Sequence, residues 1–243
     1  MCGRFTLAKT DYREMAASLG VTPRDEDAAE HKPRWNIAPT DPHWILRLSP
    51  EEGRRLVRAR WGLVNHWAKD AKRAGQQINA RTDGVATRPA YRDAFARRRC
   101  AVPADGWFEW IGTAKKKQPI WFHRPDDSLV LFAGLFETWT DPASGLTVPT
   151  FTILTTDARG RPANFHDRMP VVLRPDRVDA WIAPDAPGPD AEEFIRSVEV
   201  REVDDFVLGT EVSPRVNSVK NDDPSCLDSP PPPEPPRGQG SLF

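Results

Sequence analysis

The second residue of the chain is a cysteine, in the opening sequence Met1-Cys2-Gly3-Arg4-Phe5. Removal of the initiator methionine would leave Cys2 with a free α-amine and a thiol on adjacent carbons. The amine can condense with an aldehyde to an imine, and the thiol can then close a five-membered thiazolidine ring. The ordinary pKa values are about 8 for the amine and about 8.5 for the thiol, so both are partly available near neutral pH. Cys2 is therefore a candidate nucleophile; the alternative is that its position beside the start residue is accidental.

Two further residues could move protons. Glu109 lies between Phe108 and Trp110, and on a strand its side chain would point away from both. Aromatic surroundings would raise the pKa of its carboxyl and suit it to acid–base chemistry near pH 7. The alternative is a half-exposed strand residue. His166, in the polar segment 164–170, is a candidate for proton transfer or phosphate contact, or else a structural histidine.

Asn79 and Arg81 are two residues apart and would share one face of an extended segment. A guanidinium suits a bidentate phosphate contact, and a carboxamide suits a directed hydrogen bond. The alternative for this pair is a turn with a surface ion pair.

These candidates must be positioned by short elements. Helices are predicted over residues 10–19, 177–182 and 191–197, with Thr10 as the first N-cap. Strands are predicted over residues 44–48, 56–61, 129–136 and 150–155, and residues 115–117 form a predicted hairpin tip. Residues 21–34 are predicted to be a loop. Because strands and helices do not alternate as βαβ units, we expect an α+β fold with a curved, largely antiparallel sheet or barrel flanked by short helices.

Composition narrows the function. The chain has 243 residues and a formal net charge of −1, so any nucleic-acid site must be a local basic patch. The three cysteines are far apart, which disfavours a disulfide framework and a zinc ribbon, and the histidine and cysteine spacings offer no metal-ligand set. No signal peptide or membrane span is recognisable. We expect a cytoplasmic protein with no cofactor.

Several segments together resemble one family. They occur in the order Met-Cys-Gly-Arg-Phe, Trp35-Asn36-Ile37-Ala38-Pro39, Trp61-Gly62-Leu63, Asn-Ala-Arg, Asp105-Gly106-Trp107-Phe108-Glu109-Trp110, Ala133-Gly134-Leu135-Phe136-Glu137-Thr138-Trp139 and His-Asp-Arg-Met-Pro. The chain resembles the SOS-response-associated peptidase (SRAP) family. The resemblance implies one domain over residues 2–226 and association with the nucleoid. The proline-rich composition near the end of the chain predicts a disordered tail over residues 227–243.

The resemblance also implies a function. Members of this family shield abasic sites in single-stranded DNA by forming a thiazolidine crosslink through the N-terminal cysteine. Cys2, Glu109, His166 and Asn79 match the catalytic positions: the nucleophile, the proton carrier, the residue that assists ring opening and the active-site asparagine. The positions that match DNA contacts are Arg4, Arg81, Arg168, Trp67 and Pro39.

This chain departs from the family pattern at three positions. Asp83, Asn65 and Ala68 stand where members often have glutamate, proline and a second tryptophan. The first change would lengthen a supporting contact, and the last would weaken a wedge between single- and double-stranded DNA.

Two other functions remain open. One is a thiol peptidase that frees Cys2 by self-processing and pairs it with His166. The other is a single-strand DNA module without chemistry, which leaves Cys2 and Glu109 unexplained. A peptidase needs only the thiol, whereas aldehyde capture also needs the α-amine.

The last residues of the chain suggest a partner. Gln239-Gly240-Ser241-Leu242-Phe243 follows a proline-rich run and resembles the peptides that dock on the bacterial sliding clamp. We expect Gln239, Leu242 and Phe243 to bind such a clamp weakly.

Overall fold

The computed structural model describes residues 2–8, 11–72, 74–113, 116–184 and 190–232. Two β-sheets, one of five strands and one of seven, account for most of the regular structure. In chain order the strands are β1 (Phe5–Leu7), β2 (Arg34–Ile37), β3 (Pro42–Ser49), β4 (Gly53–Trp61), β5 (Asn79–Arg81), β6 (Arg99–Ala104), β7 (Gly106–Thr113), β8 (Lys116–His123), β9 (Val130–Thr140), β10 (Thr147–Asp157), β11 (Arg168–Pro170) and β12 (Leu208–Glu211).

Five strands of the larger sheet close into a ring. Hydrogen bonding runs from β10 through β4, β3, β6 and β9 and returns to β10, and only the β10–β4 pair in this ring is parallel. Closure leaves these strands without free edges within the ring. Large aromatic side chains fill the interior: the ring centroid of Phe5 lies 4.9 Å from that of Trp61 and 6.1 Å from that of Phe132.

The smaller sheet has the order β12-β8-β7-β1-β2 and carries the chain's amino-terminal segment. Strand β1 pairs antiparallel with both β7 and β2, with Phe5 opposite Trp107 and Ile37. Because all three residues of β1 are buried, this strand is anchored in the core rather than laid on the surface.

Short helices surround the sheets. They are α1 (Tyr12–Ser18), α2 (Asp25–Glu30), α3 (Arg92–Arg97), α4 (Val178–Ile182), α5 (Ala191–Val198) and α6 (Val203–Phe206). The side chain of Asp11 caps α1 by accepting from the backbone N–H groups of Arg13 and Glu14. Thr10, the predicted cap, lies outside the described residues.

The α+β prediction is confirmed, as are the strand pair β3–β4, the core of strands β9 and β10 and the helices α4 and α5. The prediction that residues 21–34 form a loop is wrong, because they contain α2 and the start of β2. Helix α2 has no buried residue, so no apolar periodicity marks it in the sequence.

Within the described residues, no helix is both long and apolar enough to cross a membrane. The predicted boundary between a domain over residues 2–226 and a tail over residues 227–243 stays a prediction, since residues 233–243 lie outside the described part of the chain.

Candidate active site around Cys2

The pairing of β1 with β7 brings Cys2 to Glu109. Phe5 lies opposite Trp107 and Thr6 opposite Gly106, and the backbone N–H of Phe108 donates to the carbonyl of Arg4 at 3.0 Å. Continued two residues beyond the pair Phe5–Trp107, this antiparallel register places Gly3 opposite Glu109, and Cys2 directly precedes Gly3. Residues more than 100 positions apart in the chain therefore meet at the end of one strand pair.

Cys2 is completely buried. Its Sγ lies 4.0 Å from the carbonyl oxygen of Arg4. Burial, and then the negative charge of Glu109, raise the pKa of the Cys2 thiol well above its ordinary value. The thiol is therefore held in its neutral form, and a base must remove its proton before it can act as a nucleophile.

Glu109 is suited to that task. It is 3 % exposed, so the alternative of a half-exposed strand residue is wrong. Its neighbours Phe108 and Trp110 pack on the other face of the sheet, with Trp121 and Val216. Burial raises the pKa of the Glu109 carboxyl from 4.5 to about 7. The carboxyl can therefore give or take a proton near neutral pH.

Asn79 ties the amino terminus to the barrel. Its Nδ2 donates to the carbonyl oxygen of Cys2 at 2.8 Å, across 77 residues of sequence. Strand β5, which Asn79 begins, pairs parallel with β10. The Oδ1 atom of Asn79 is buried and has no hydrogen-bond partner among the described residues. The carboxamide thus fixes the backbone of Cys2 and keeps one acceptor for another group.

His166 lies just before β11, beside Asp167. Its Nδ1 is 2.6 Å from Oδ1 of Asp167 and 2.9 Å from the backbone nitrogen of Arg168. A protonated Nδ1 donates to Asp167 and a bare Nδ1 accepts from Arg168, so the two contacts belong to different protonation states. Burial lowers the pKa of His166. Asp167 also acts on the Glu109 carboxyl, which links the histidine segment electrostatically to the Cys2 region.

Arg81 and Arg168 lie on two strands that pair with β10. Arg81 ends the parallel strand β5, and Arg168 begins the antiparallel strand β11. Arg81 donates through Nε to Asp83 at 2.8 Å. Arg168 donates to Asp157 at 2.8 Å and lies 3.7 Å from Asp83. Asp83 therefore contacts Arg81 directly despite its shorter side chain. The two guanidiniums form a cluster at the wall of a cleft of about 520 Å³.

Arg4 is held from the opposite side. Its guanidinium donates to Oδ1 of Asn36 at 2.8 Å and to the carbonyl of Val216 at 3.1 Å, and lies 5.9 Å from the centroid of Trp110. Burial lowers the pKa of Arg4. The side chain is thus fixed beside Gly3, with which it lines a smaller cavity of about 260 Å³.

Trp67 and Pro39 lie on separate loops. Trp67 is 61 % exposed, and Pro39 is half-buried just before Thr40, whose φ of 76° turns the chain sharply. Neither residue is joined to Cys2 by a hydrogen bond in the described part of the chain. Among the catalytic candidates, the structure brings Cys2, Glu109 and Asn79 together, with His166 linked to them only through the charge of Asp167. Trp67 and Pro39 stay candidates for an outer surface.

Two supporting residues were missed by the sequence-based reasoning. Asn36 holds Arg4 and also donates from Nδ2 to the carbonyls of Ser218 and Asn221. Asp222 accepts from the backbone N–H groups of Trp35 and Asn36. Asn36 lay inside a quoted motif, but nothing local marks Asp222, since its partners are 186 or more residues away.

The family profile for SOS response associated peptidase (SRAP) matches residues 1–219. The chain belongs to the SRAP family. Abasic site processing protein YoaM of Bacillus subtilis is 34% identical over 232 residues, covering 94% of this chain and 98% of that protein. Abasic site processing protein YedK of Escherichia coli is 31% identical over 202 residues, covering 81% of this chain and 86% of that protein.

Solved structures share the SRAP fold. A protein from Bacteroides thetaiotaomicron superposes with a TM-score of 0.79 at 21% identity, covering 94% of this chain and 99% of that one. A phage-related protein from Bordetella bronchiseptica superposes with a TM-score of 0.65 at 28% identity, covering 87% and 94%. This SRAP chain therefore spans 98% of YoaM, 86% of YedK and at least 94% of each of these two solved structures.

Proposed function

We propose that this SRAP protein recognises abasic sites in single-stranded DNA and captures them covalently through Cys2. The observation that carries the proposal is the hydrogen-bonded and buried setting of Cys2 beside Glu109 and Asn79. The matched relatives named abasic site processing proteins support the choice of substrate.

The proposed reaction balances as a condensation. Once Met1 is removed, the α-amine of Cys2 attacks the C1′ aldehyde of the ring-opened deoxyribose, and the resulting carbinolamine loses water to give an imine. The thiol sulfur then adds to the imine carbon, and its proton passes to the nitrogen. One C–N bond and one C–S bond form, and one water leaves.

Glu109 is the proposed proton carrier for both steps. With a pKa raised to about 7, the acid form can protonate the departing hydroxyl and the carboxylate can accept the thiol proton. His166 assists opening of the sugar ring, and Asn79 holds the Cys2 backbone. Because Glu109 accepts the thiol proton only in the second step, the neutral, buried thiol stays unreactive until the imine has formed.

DNA is bound by the surrounding side chains. Arg4, Arg81 and Arg168 contact phosphates, and Trp67 and Pro39 border the strand. Stacking on an exposed indole and contact through guanidiniums suit a binder that tolerates many sequences. Shielding the lesion in this way is a DNA-damage response.

A gel assay tests the proposal. Abasic single-stranded DNA mixed with the Met1-processed protein should give a heat-stable shifted band without borohydride, and Cys2→Ala should give none while still binding DNA. A heat-stable, borohydride-independent adduct formed by Cys2→Ala would contradict the thiazolidine.

The family's name favours one second function, a thiol peptidase with self-processing. Such an enzyme needs a thiolate, whereas the charge of Glu109 opposes ionisation of Cys2. Adding an N-terminal tag separates the two functions. A tag that stays attached, which an intact-mass measurement verifies, converts the α-amine into an amide and should abolish crosslinking, but it would leave a thiol-only peptidase active on a peptide substrate.

We also propose that the carboxyl-terminal peptide binds the bacterial sliding clamp. The support is its sequence alone, since Gln239, Leu242 and Phe243 lie outside the described residues. Tethering would raise the local concentration of the protein at replication forks. A labelled peptide of the last ten or so residues should bind the clamp, and the double variant Leu242→Ala, Phe243→Ala should not; equal binding by both peptides contradicts the proposal.

A further inference from the structure

Trp67 is the one tryptophan among the exposed large apolar residues in the described part of the chain. The residues before and after it are nevertheless fixed by hydrogen bonds to buried side chains. The loop of residues 65–68 lies against strand β9. Two residues of that strand, Glu137 and Trp139, reach the loop from positions two apart, and therefore from the same face.

Glu137 holds the residue before Trp67. It is 3 % exposed, and its Oε2 lies 2.8 Å from Nδ1 of His66 and 3.4 Å from the backbone nitrogen of the same residue. Arg98 compensates the charge, with Nε 2.6 Å from Oε1. His66 donates to a buried carboxylate, and hydrogen bonds to charged groups are stronger than those between neutral groups, so movement of His66 away from Glu137 would be opposed.

Trp139 holds the residue after Trp67. Its indole N–H donates to the carbonyl oxygen of Ala68 at 2.8 Å. The Trp139 ring is buried with Val64 and Ala74 and with the partly buried Ala68. Thr150 adds a third attachment at the start of the loop, because its Oγ1 accepts from the backbone N–H of Val64 at 3.0 Å.

The contrast between a held backbone and an exposed indole needs an explanation. A freely moving loop would lose conformational entropy when Trp67 bound a ligand, and that loss weakens binding. A loop that is fixed beforehand avoids most of the loss. The arrangement therefore suits a side chain that must present a flat apolar face to a partner.

We propose that Glu137 and Trp139 are positioning residues, which hold residues 66–68 so that the indole of Trp67 meets a nucleobase of the bound single strand. This inference rests on the proposed function, in which Trp67 borders the DNA. In this proposal Glu137 and Trp139 affect DNA binding only through Trp67 and do not contact the DNA themselves.

A double-mutant cycle tests the proposal. Glu137→Gln removes the charge and keeps the shape, and Trp139→Phe removes the indole N–H and keeps an aromatic ring. Each should weaken binding of an undamaged single-stranded oligonucleotide by about threefold to tenfold, because stacking on Trp67 is partly lost. In a Trp67→Ala background the same substitutions should change affinity by less than about twofold.

Trp181→Phe is the matched control. Trp181 is also buried, and its indole N–H donates to the backbone carbonyl of Cys100 at 2.8 Å. It should lower the melting temperature much as Trp139→Phe does and leave DNA affinity unchanged. An equal loss of affinity for Trp181→Phe and Trp139→Phe would mean that general destabilisation is responsible, and would overturn the proposal.

A spectroscopic measurement provides the second readout. In protein labelled with 5-fluorotryptophan, the ¹⁹F signal of Trp67, assigned from Trp67→Phe, should shift or broaden in Glu137→Gln. An unchanged signal overturns the proposal, and so does a Trp67→Ala variant that binds DNA as the wild type does. Crosslinking through Cys2, measured in the same samples, reports separately on the proposed function.

Discussion

The side-chain amide of Asn79 donates a 2.8 Å hydrogen bond to the backbone carbonyl of Cys2. This contact joins the segment before β1 to strand β5, which pairs with β10 of the barrel. Cys2 is therefore held in place by a side chain from the other sheet.

Asn79→Ala should slow crosslinking of abasic DNA, because it frees the Cys2 backbone. Losing a hydrogen bond to a buried group costs about 1–3 kcal/mol, which corresponds to a decrease in rate of roughly 5-fold to 150-fold if all of it appears in the transition state. Time courses at saturating DNA would measure the rate. Asn79→Asp replaces the donor with an acceptor and should be slower still; a rate equal to that of Asn79→Ala would argue against the donor role of Nδ2.

Crosslinking by the wild type should depend on pH near neutrality, because the pKa of Glu109 is raised to about 7 by burial. Glu109→Gln should lower the rate by about 10²–10⁴-fold and remove the inflection near pH 7, leaving only the dependence that comes from the α-amine of Cys2, with DNA affinity preserved. Rates measured between pH 5.5 and 8.5 would show it. A Glu109→Gln variant that reacts within about twofold of the wild type would assign Glu109 a structural role.

The Glu109 carboxyl should also make the stability of the protein fall as the pH rises, whereas most carboxyl groups, whose pKa is lowered on folding, make it rise. A folded pKa above the unfolded one stabilises the protein fully below about pH 4.5, and this contribution is lost as the pH rises through about 7. Glu109→Gln should therefore raise the melting temperature relative to the wild type more at pH 8 than at pH 5. Calorimetry at both values is the check, and an equal difference at each pH would contradict it.

Arg81→Ala should weaken binding to any single strand and lower the salt dependence of the binding constant by about 0.7 in log–log slope, as for one lost phosphate contact. Arg13→Ala is a matched control. The Arg13 side chain is 56% exposed and pairs with Asp25, whereas that of Arg81 is 54% exposed and pairs with Asp83. Titrations at several salt concentrations would separate them; an unchanged slope for Arg81→Ala would remove it from the DNA path.

His43 should contribute to acid unfolding. It is buried, its Nε2–H donates to the carbonyl of Pro103 at 2.7 Å, and burial lowers its pKa from 6.5 to about 3. Its contribution is present above about pH 6.5 and is lost as the pH falls toward 3, with a slope of up to about 1.4 kcal/mol per pH unit. Urea unfolding between pH 4 and 8 should be less pH-dependent for His43→Phe, and parallel curves for the two proteins would contradict this.

Local sequence patterns predicted a large part of the fold. The strand pair β3–β4 and the helix α5 are short-range structures, and their turn and cap residues lie within a few positions. Helix α2 was missed because all of its side chains face solvent at least in part, and an α-helix without an apolar face leaves no periodic signal.

The candidate reactive groups were chosen from the sequence, and their roles stay a prediction. Cys2, Glu109, Asn79 and His166 are polar or nucleophilic residues within motifs, and a residue's type determines which protons and electron pairs it can offer. That Glu109 would point away from Phe108 and Trp110 followed from strand alternation alone.

Only the tertiary structure decided how those groups behave. The pKa of Glu109 near 7 comes from burial on strand β7, which pairs with the distant strand β1, and Cys2 is held by an amide 77 residues away. Asp222 and Glu137 likewise act on backbone groups more than 70 residues distant. Burial and charge are sums over all neighbours in space, and a linear sequence lists only the neighbours along the chain.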